Sequence, residues 1–150
     1  MGSAWIVSRF MSAERFTLDT NILIYAVDRD AGYRHTRAKE IVDQAVDQNC
    51  VLTLQALSEF YTAVSRKNKL LASEAKAQVA DWRLLFPVVV AQSDNLIQAI
   101  EAVEQHRLSF WDAMLWSVAR DNSVTLLISE DFQHGRELLG VRFHNPFVVS

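Results

Sequence analysis

A single cysteine among 150 residues rules out an internal disulfide framework and a cysteine-rich zinc site. That residue, Cys50, lies in an apolar run and reads as an inert core side chain. Only 2 prolines and 4 glycines are present, and charged residues make up 22% of the chain against 50% hydrophobic. Such a composition excludes collagen-like, linker-rich and disordered architectures. No apolar run approaches the roughly 18 residues that span a bilayer, so a membrane protein is not expected. Surplus positive charge is missing too. The net charge is -3, the wrong sign for the usual nucleic-acid footprint. The sum alone decides nothing, because four carboxylates neutralised by bound cations would leave 14 against 15 Lys+Arg. Eleven of those 15 are arginine, the better bidentate phosphate partner.

What is present suits one domain. A chain of this length buries roughly 70% of the surface that its unfolded form exposes. Residues 1–14 read as an N-terminal extension ahead of a domain at 15–150. The one apolar stretch there, Ala4 to Val7, is shorter than the roughly 7–15 residues of a secretion signal's core. Met1-Gly2-Ser3 has the look of a cloning remnant and Met11 that of a natural start, and a cytoplasmic location is expected.

Arg15 to Leu18 reads as a short buried strand ending in Asp19. Helices follow over Asn21 to Val27 and Arg34 to Val46, the second burying Ala38, Ile41, Val42 and Ala45 at 3.6 spacing. Cys50 to Leu54 is a second strand. Ala56 to Lys67 is a helix with the stripe Leu57, Phe60, Tyr61 and Val64. Ser73 to Leu85 is a helix carrying Ala77, Ala80, Trp82, Leu84 and Leu85. Pro87 to Ala91 is a third strand, with proline where no ladder bond is lost. Asp94 to Gln105 is a helix with Leu96, Ile97, Ile100 and Val103 inward. Phe110 to Arg120 is a further helix, Val124 to Ile128 a fourth strand and Val141 to His144 a fifth. Strands separated by helices imply right-handed crossovers, and continuously apolar strands imply burial on both faces. The expected fold is α/β: a three-layer α/β/α domain with a five-stranded parallel sheet.

Ligands of such sheets sit beyond the carboxyl ends of the strands. Asp19 closes the first strand, and Ser129, Glu130 and Asp131 close the fourth. Glu59 lies in the helix after strand two, and Asp112 in the first turn of the helix before strand four. Each has a plain alternative. Asp19 could cap the helix near Asn21, and Asp131 or Ser129 could cap the turn that follows, with Glu130 idle in solvent. Glu59 could be a solvated helix residue near Thr62 and Arg66. Ser109-Phe110-Trp111-Asp112 matches a capping box. Yet Asp112 also heads the stripe Leu115, Trp116 and Ala119, and a carboxylate turned toward a core must find a cation or donors. Several carboxylates at one sheet edge repel each other unless a cation binds, and an all-oxygen set suits Mg²⁺ or Mn²⁺ rather than zinc.

LDTNILIY at 18–25, LQALSEFYTAVSRK at 54–67, SFWDAMLWSVA at 109–119, LLISEDFQHGREL at 126–138 and NPF at 145–147 together resemble the PIN-domain ribonucleases. Within that family they resemble the VapC toxins of bacterial toxin–antitoxin modules. The resemblance runs from Arg15 onward. It implies strand order 3-2-1-4-5, which sets Asp19 beside Asp131. It also implies four acidic site residues, Asp19, Glu59, Asp112 and Asp131, with Asn21 and Ser129 orienting them and Glu130 outside the site. Asp19, Asp112 and Asp131 would hold the metal, and Glu59 would ligate or orient a metal-activated water that attacks an RNA phosphodiester. The implied partners are RNA and a cognate protein antitoxin, and a homodimer is expected. A PIN nuclease of housekeeping RNA processing and a catalytically silent RNA-binding PIN module are the alternatives. A phosphoacceptor domain would need a late lysine, and none follows Lys76. Trp111 and Trp116, flanking Asp112, read as core packing rather than base stacking. His106, His134 and His144 are too scattered to read as metal ligands. Arg66, Lys67 and Lys69 suit a helix C-terminus and could also meet an RNA backbone.

Overall fold

A computed structural model describes residues 14–148, so the expectations for Ala4 to Val7, Met11 and the first three residues lie outside the described residues. The chain opens with strand β1 (Phe16–Leu18), helix α1 (Thr20–Val27), a short 3-10 turn at Arg29–Ala31 and helix α2 (Tyr33–Ala45). Strand β2 (Cys50–Thr53) runs directly into helix α3 (Leu54–Arg66), and helix α4 (Ala72–Leu85) follows. The second half holds β3 (Val88–Val89), α5 (Ser93–His106), α6 (Phe110–Asp121), β4 (Leu126–Ile128), β5 (Glu137–Leu138) and β6 (Val141–His144).

The sheet order is β3-β2-β1-β4-β6-β5. The expected order holds for five of these strands, the expected fifth being β6. The correction is a sixth strand: β5 pairs antiparallel with β6, so the sheet is mostly rather than wholly parallel. Two residues are too few to show a period in sequence, and Gly140, at φ 92°, makes the turn that creates this hairpin.

Side-chain alternation divides the core between the two faces. Phe16, Leu18, Cys50, Leu52, Leu126 and Ile128 pack against α1 to α4. Val51, Leu127, Val141 and Phe143 pack against α5 and α6. That gives the three layers. Cys50 is buried, and burial pushes its thiol up, so it stays a protonated core residue.

Two helices present other faces than the apolar pattern suggests. On α5 the buried residues are Asn95, Ala99 and Ala102, while Leu96, Ile97, Ile100 and Val103 are exposed. The cause is polar. Asn95 donates to Ser117 Oγ (2.9 Å) and Asp121 Oδ2 (2.7 Å) and accepts from Gln92 N, and Ser117 donates to Gln98 Oε1. A satisfied buried network fixes the rotation of the helix, and small alanines let α5 approach α6 closely. On α4 only Ala75 and Trp82 are buried, and Leu84 and Leu85 are exposed. Tyr61 likewise leaves the α3 stripe for solvent, while Leu57, Phe60 and Val64 stay inside. Among the described residues, no helix is long and apolar enough to cross a membrane.

Candidate active site

β1 and β4 are adjacent and in register, Leu18 opposite Ile128, so the residues that leave each strand emerge side by side. Asp19 continues the ladder by donating its N–H to Ile128 O (2.9 Å). It then caps α1, its Oδ1 accepting from Thr20 N at 2.7 Å. The capping role read for Asp19 therefore holds. Ser129 donates to Asp19 Oδ2 (2.7 Å) and accepts from Asp131 N (3.0 Å) and Asn21 Nδ2 (3.3 Å). Asn21 also donates to Asp131 Oδ2 (3.1 Å) and accepts from Glu130 N (3.2 Å). Asn21 and Ser129 thus tie the ends of two strands into one frame.

Asp112 joins from the first turn of α6. The capping box does not form, because the Ser109 side chain makes no capping hydrogen bond. One carboxylate oxygen each from Asp19, Asp112 and Asp131 lie within 4.8 Å of one another. Among the described residues this is the only such group of three or more potential metal ligands. Burial runs from 6% exposed at Asp19, through half-buried Asp112, to exposed Asp131. Burial pushes the Asp19 carboxyl up to about 7 from the ordinary 3.8, against the pull of the Ser129 and Thr20 bonds, and the Asp112 and Asp131 charges add to the push. Asp112 is raised as well, by burial first and then by Asp131 and Glu59, while the Ser109 hydroxyl lowers it. The groups bonded to these carboxylates are hydroxyls, a side-chain amide and a backbone N–H, not cations. Three hard oxygen donors so close, one of them buried, fit Mg²⁺ or Mn²⁺.

Glu59 stands apart from this trio. It is exposed on α3, and its Oε1 accepts from Gln55 Nε2 at 3.0 Å. The same Gln55 amide donates to Trp111 O (3.0 Å), tying the Glu59 helix to the Asp112 helix. Glu59 is close enough for its charge to act on Asp112. The Gln55–Glu59 spacing of four residues was visible in the sequence, and Gln55 is the residue missed there.

Other surroundings were not legible. Glu130 is not idle in solvent: it accepts from Tyr25 Oη and Arg34 Nε. A depression of about 450 Å³ borders Asp112 and Asp131 and brings up Arg107, Gln133 and Arg136. Arg136 donates to His106 O (3.0 Å), which holds part of that wall. Of the two tryptophans, Trp116 is core, donating to Leu138 O, but Trp111 is 60% exposed and not core. His134 and His144 lie 5.0 Å apart between ring centroids at a tilt of 58°, and among the described residues no carboxylate completes a ligand set with them. Lys69 spends its charge on Asp28 (3.3 Å).

The sequence profile described as "PIN domain" matches residues 16–136. The chain belongs to the PIN domain family. Its fold matches solved structures of a VapC toxin and of toxin–antitoxin complexes. One is VapC20 of Mycobacterium tuberculosis, described as a sarcin–ricin loop cleaving toxin: TM-score 0.61 and 22% identity, over 77% of this chain and 91% of that one. A second is a toxin–antitoxin complex from Klebsiella pneumoniae: TM-score 0.62 and 18% identity, over 89% and 98%. A third is DNA-bound VapBC from Salmonella typhimurium: TM-score 0.62 and 16% identity, over 87% and 97%. A search of curated proteins gave no match. As a PIN domain, the chain has the VapC-like three-layer fold, with its carboxylates where β1 and β4 end.

Proposed function

We propose that this PIN domain is a metal-dependent endoribonuclease and the toxin of a toxin–antitoxin pair, acting in the cytoplasm. The observation that carries the reading is the convergence of Asp19, Asp112 and Asp131 within 4.8 Å, where the bonded donors are neutral hydroxyl, amide and backbone N–H groups. Asp19, Asp112 and Asp131 would hold the ion. Mg²⁺ or Mn²⁺ held there supplies Lewis acidity toward a phosphate oxygen and lowers the pKa of water. Ser129 and Asn21 keep Asp19 and Asp131 in one geometry. Glu59, fixed by Gln55 at the rim, orients the attacking water and accepts its proton. Arg107 and Arg136 offer charge to the phosphates on either side of the cut.

RNA is the substrate favoured, supported by the resemblance to PIN-domain ribonucleases and by the structurally similar VapC20, described as a sarcin–ricin loop cleaving toxin. An antitoxin partner is supported by the toxin–antitoxin assemblies of similar fold. A second copy of the chain is the further partner, and the exposed row Leu96, Ile97, Ile100 and Val103 on α5 supplies apolar surface for it to cover. The housekeeping and silent-module readings have no observation of their own in their favour.

Two experiments test the reading. Mn²⁺ should raise the melting temperature, since a ligand of the folded state stabilises it by mass action. Asp19→Asn/Asp131→Asn should lose most of that gain, and an equal gain in both proteins would count against the site. Sequencing of RNA ends after induction in cells should reveal new, recurrent cut positions that this double variant does not produce.

A further inference from the structure

Of the three described tryptophans, Trp82 and Trp116 are buried and Trp111 is not. Trp111 immediately precedes Asp112 and lines a groove of about 540 Å³ with Leu54, Gln55, Glu59, Val90 and Ala91. Leu54 and Val90 are also exposed there, so an apolar floor lies open beside Glu59. The indole is held in place. Its backbone carbonyl accepts from Gln55, and Phe110 packs against its ring at 4.9 Å and 73°.

We propose that this groove is a nucleobase subsite, in which Trp111 stacks the unpaired base next to the scissile phosphate. The proposal rests on the ribonuclease reading and adds a substrate-positioning residue to it.

Charge decides the occupant. No lysine or arginine lines the groove, so a phosphate would find no partner there. Arg107 and Arg136 line the depression on the other flank, which Asp112 and Asp131 border. A single strand crossing the carboxylates therefore meets cations on one side and an aromatic floor on the other. Bases stack on aromatic side chains with little regard to sequence. Glu59 in the wall repels a phosphate, which favours an uncharged base in the groove. An apolar peptide side chain would desolvate that carboxylate without giving it a hydrogen bond. Glu59 in the lining and Asp112 next to Trp111 in the chain tie the groove to the acidic residues, and a base hangs one sugar away from its phosphate.

The test uses a short single-stranded RNA that the wild-type protein cleaves in Mn²⁺. Wild type, Trp111→Ala and Trp111→Phe are compared for kcat and KM on the intact RNA and on a series in which one nucleotide at a time is abasic. Trp111→Ala should raise KM roughly 5- to 150-fold, the equivalent of about 1–3 kcal/mol of stacking. Trp111→Phe should keep most of the affinity. One abasic position next to the cut should raise the wild-type KM by a similar factor and should erase the Trp111→Ala penalty. A wild-type KM for Trp111→Ala would overturn the proposal, and so would a penalty that persists on every abasic RNA. The abasic series on the wild type needs no variant to fold. If no single base matters to KM, the subsite does not exist. Loss of antitoxin binding by Trp111→Ala with unchanged RNA kinetics would assign the groove to protein instead. Failure of the wild type to cleave any RNA would mark the ribonuclease reading itself as wrong, and the subsite with it.

Discussion

Ser129 donates its hydroxyl to Oδ2 of Asp19 across 2.7 Å, joining two residues 110 positions apart in the chain. Ser129 Oγ also accepts from Asn21 Nδ2 and Asp131 N, so all of its hydrogen-bonding capacity is used at the strand ends. Ser129→Ala should leave the Asp19 carboxylate, the Asn21 amide and the Asp131 N–H each short of a partner. We expect a stability loss of about 1–3 kcal/mol and Mn²⁺ affinity lowered about 10–100-fold. Denaturant unfolding and a metal titration on the same samples measure both.

Asp19 makes the metal-free protein sensitive to pH. Its folded pKa of about 7 lies above the ordinary 3.8, so between those values the folded state binds more protons than the unfolded. Stability should therefore fall as pH rises from about 4 to about 7 and then level off, by an amount on the order of 4 kcal/mol. Asp112, raised in the same direction, adds to the fall. In EDTA, Asp19→Asn should flatten this difference and be the more stable protein at pH 8. Parallel slopes for the two proteins over that window would show that Asp19 is not the titrating group.

The sequence offered two roles for Asp112, and substitution can separate them. With no capping bond from the Ser109 side chain, Ser109→Ala should cost less than the roughly 0.5–2 kcal/mol of a lost N-cap. Asp112→Asn should hold or gain stability while kcat falls by orders of magnitude. A protein destabilised by Asp112→Asn, yet cleaving RNA normally per folded molecule, would restore the cap as its main role.

The strand ends were legible because an apolar run stops at Asp19 and another stops at Ser129, whereas the set of four carboxylates, two of them on helices, came from the resemblance to PIN domains. Helix periodicity likewise marked α2 and α6. The rotation of α5 could not be read, because Asn95 inverts the usual rule by being buried within a satisfied polar network that only the fold assembles. Leu54 was assigned to a strand because β2 passes into α3 without a turn residue. The exposure of Trp111 was equally hidden. A tryptophan in a core-facing helix reads as core, and only the Gln55 bridge from α3 shows that its turn faces the groove.

Arg107 separates electrostatic from stacking contributions. It closes α5 in a left-handed conformation, φ 60°, and lines the depression next to Asp112 and Asp131. Arg107→Ala should weaken RNA binding uniformly across sequences and lower the slope of log affinity against log salt by about 1. Binding that drops for some sequences and not others would mean that Arg107 reads bases.

The most direct test of the carboxylate site is RNA cleavage by purified wild type and Asp131→Asn, in Mn²⁺ and in EDTA. Asp131 is exposed, so its substitution disturbs the core least of the three. We expect Mn²⁺-dependent cleavage by the wild type, none in EDTA, and a rate for Asp131→Asn lower by orders of magnitude with an unchanged melting temperature. Cleavage by Asp131→Asn within about tenfold of wild type, about 1.4 kcal/mol of barrier, would contradict the assignment of the three aspartates as the catalytic metal site.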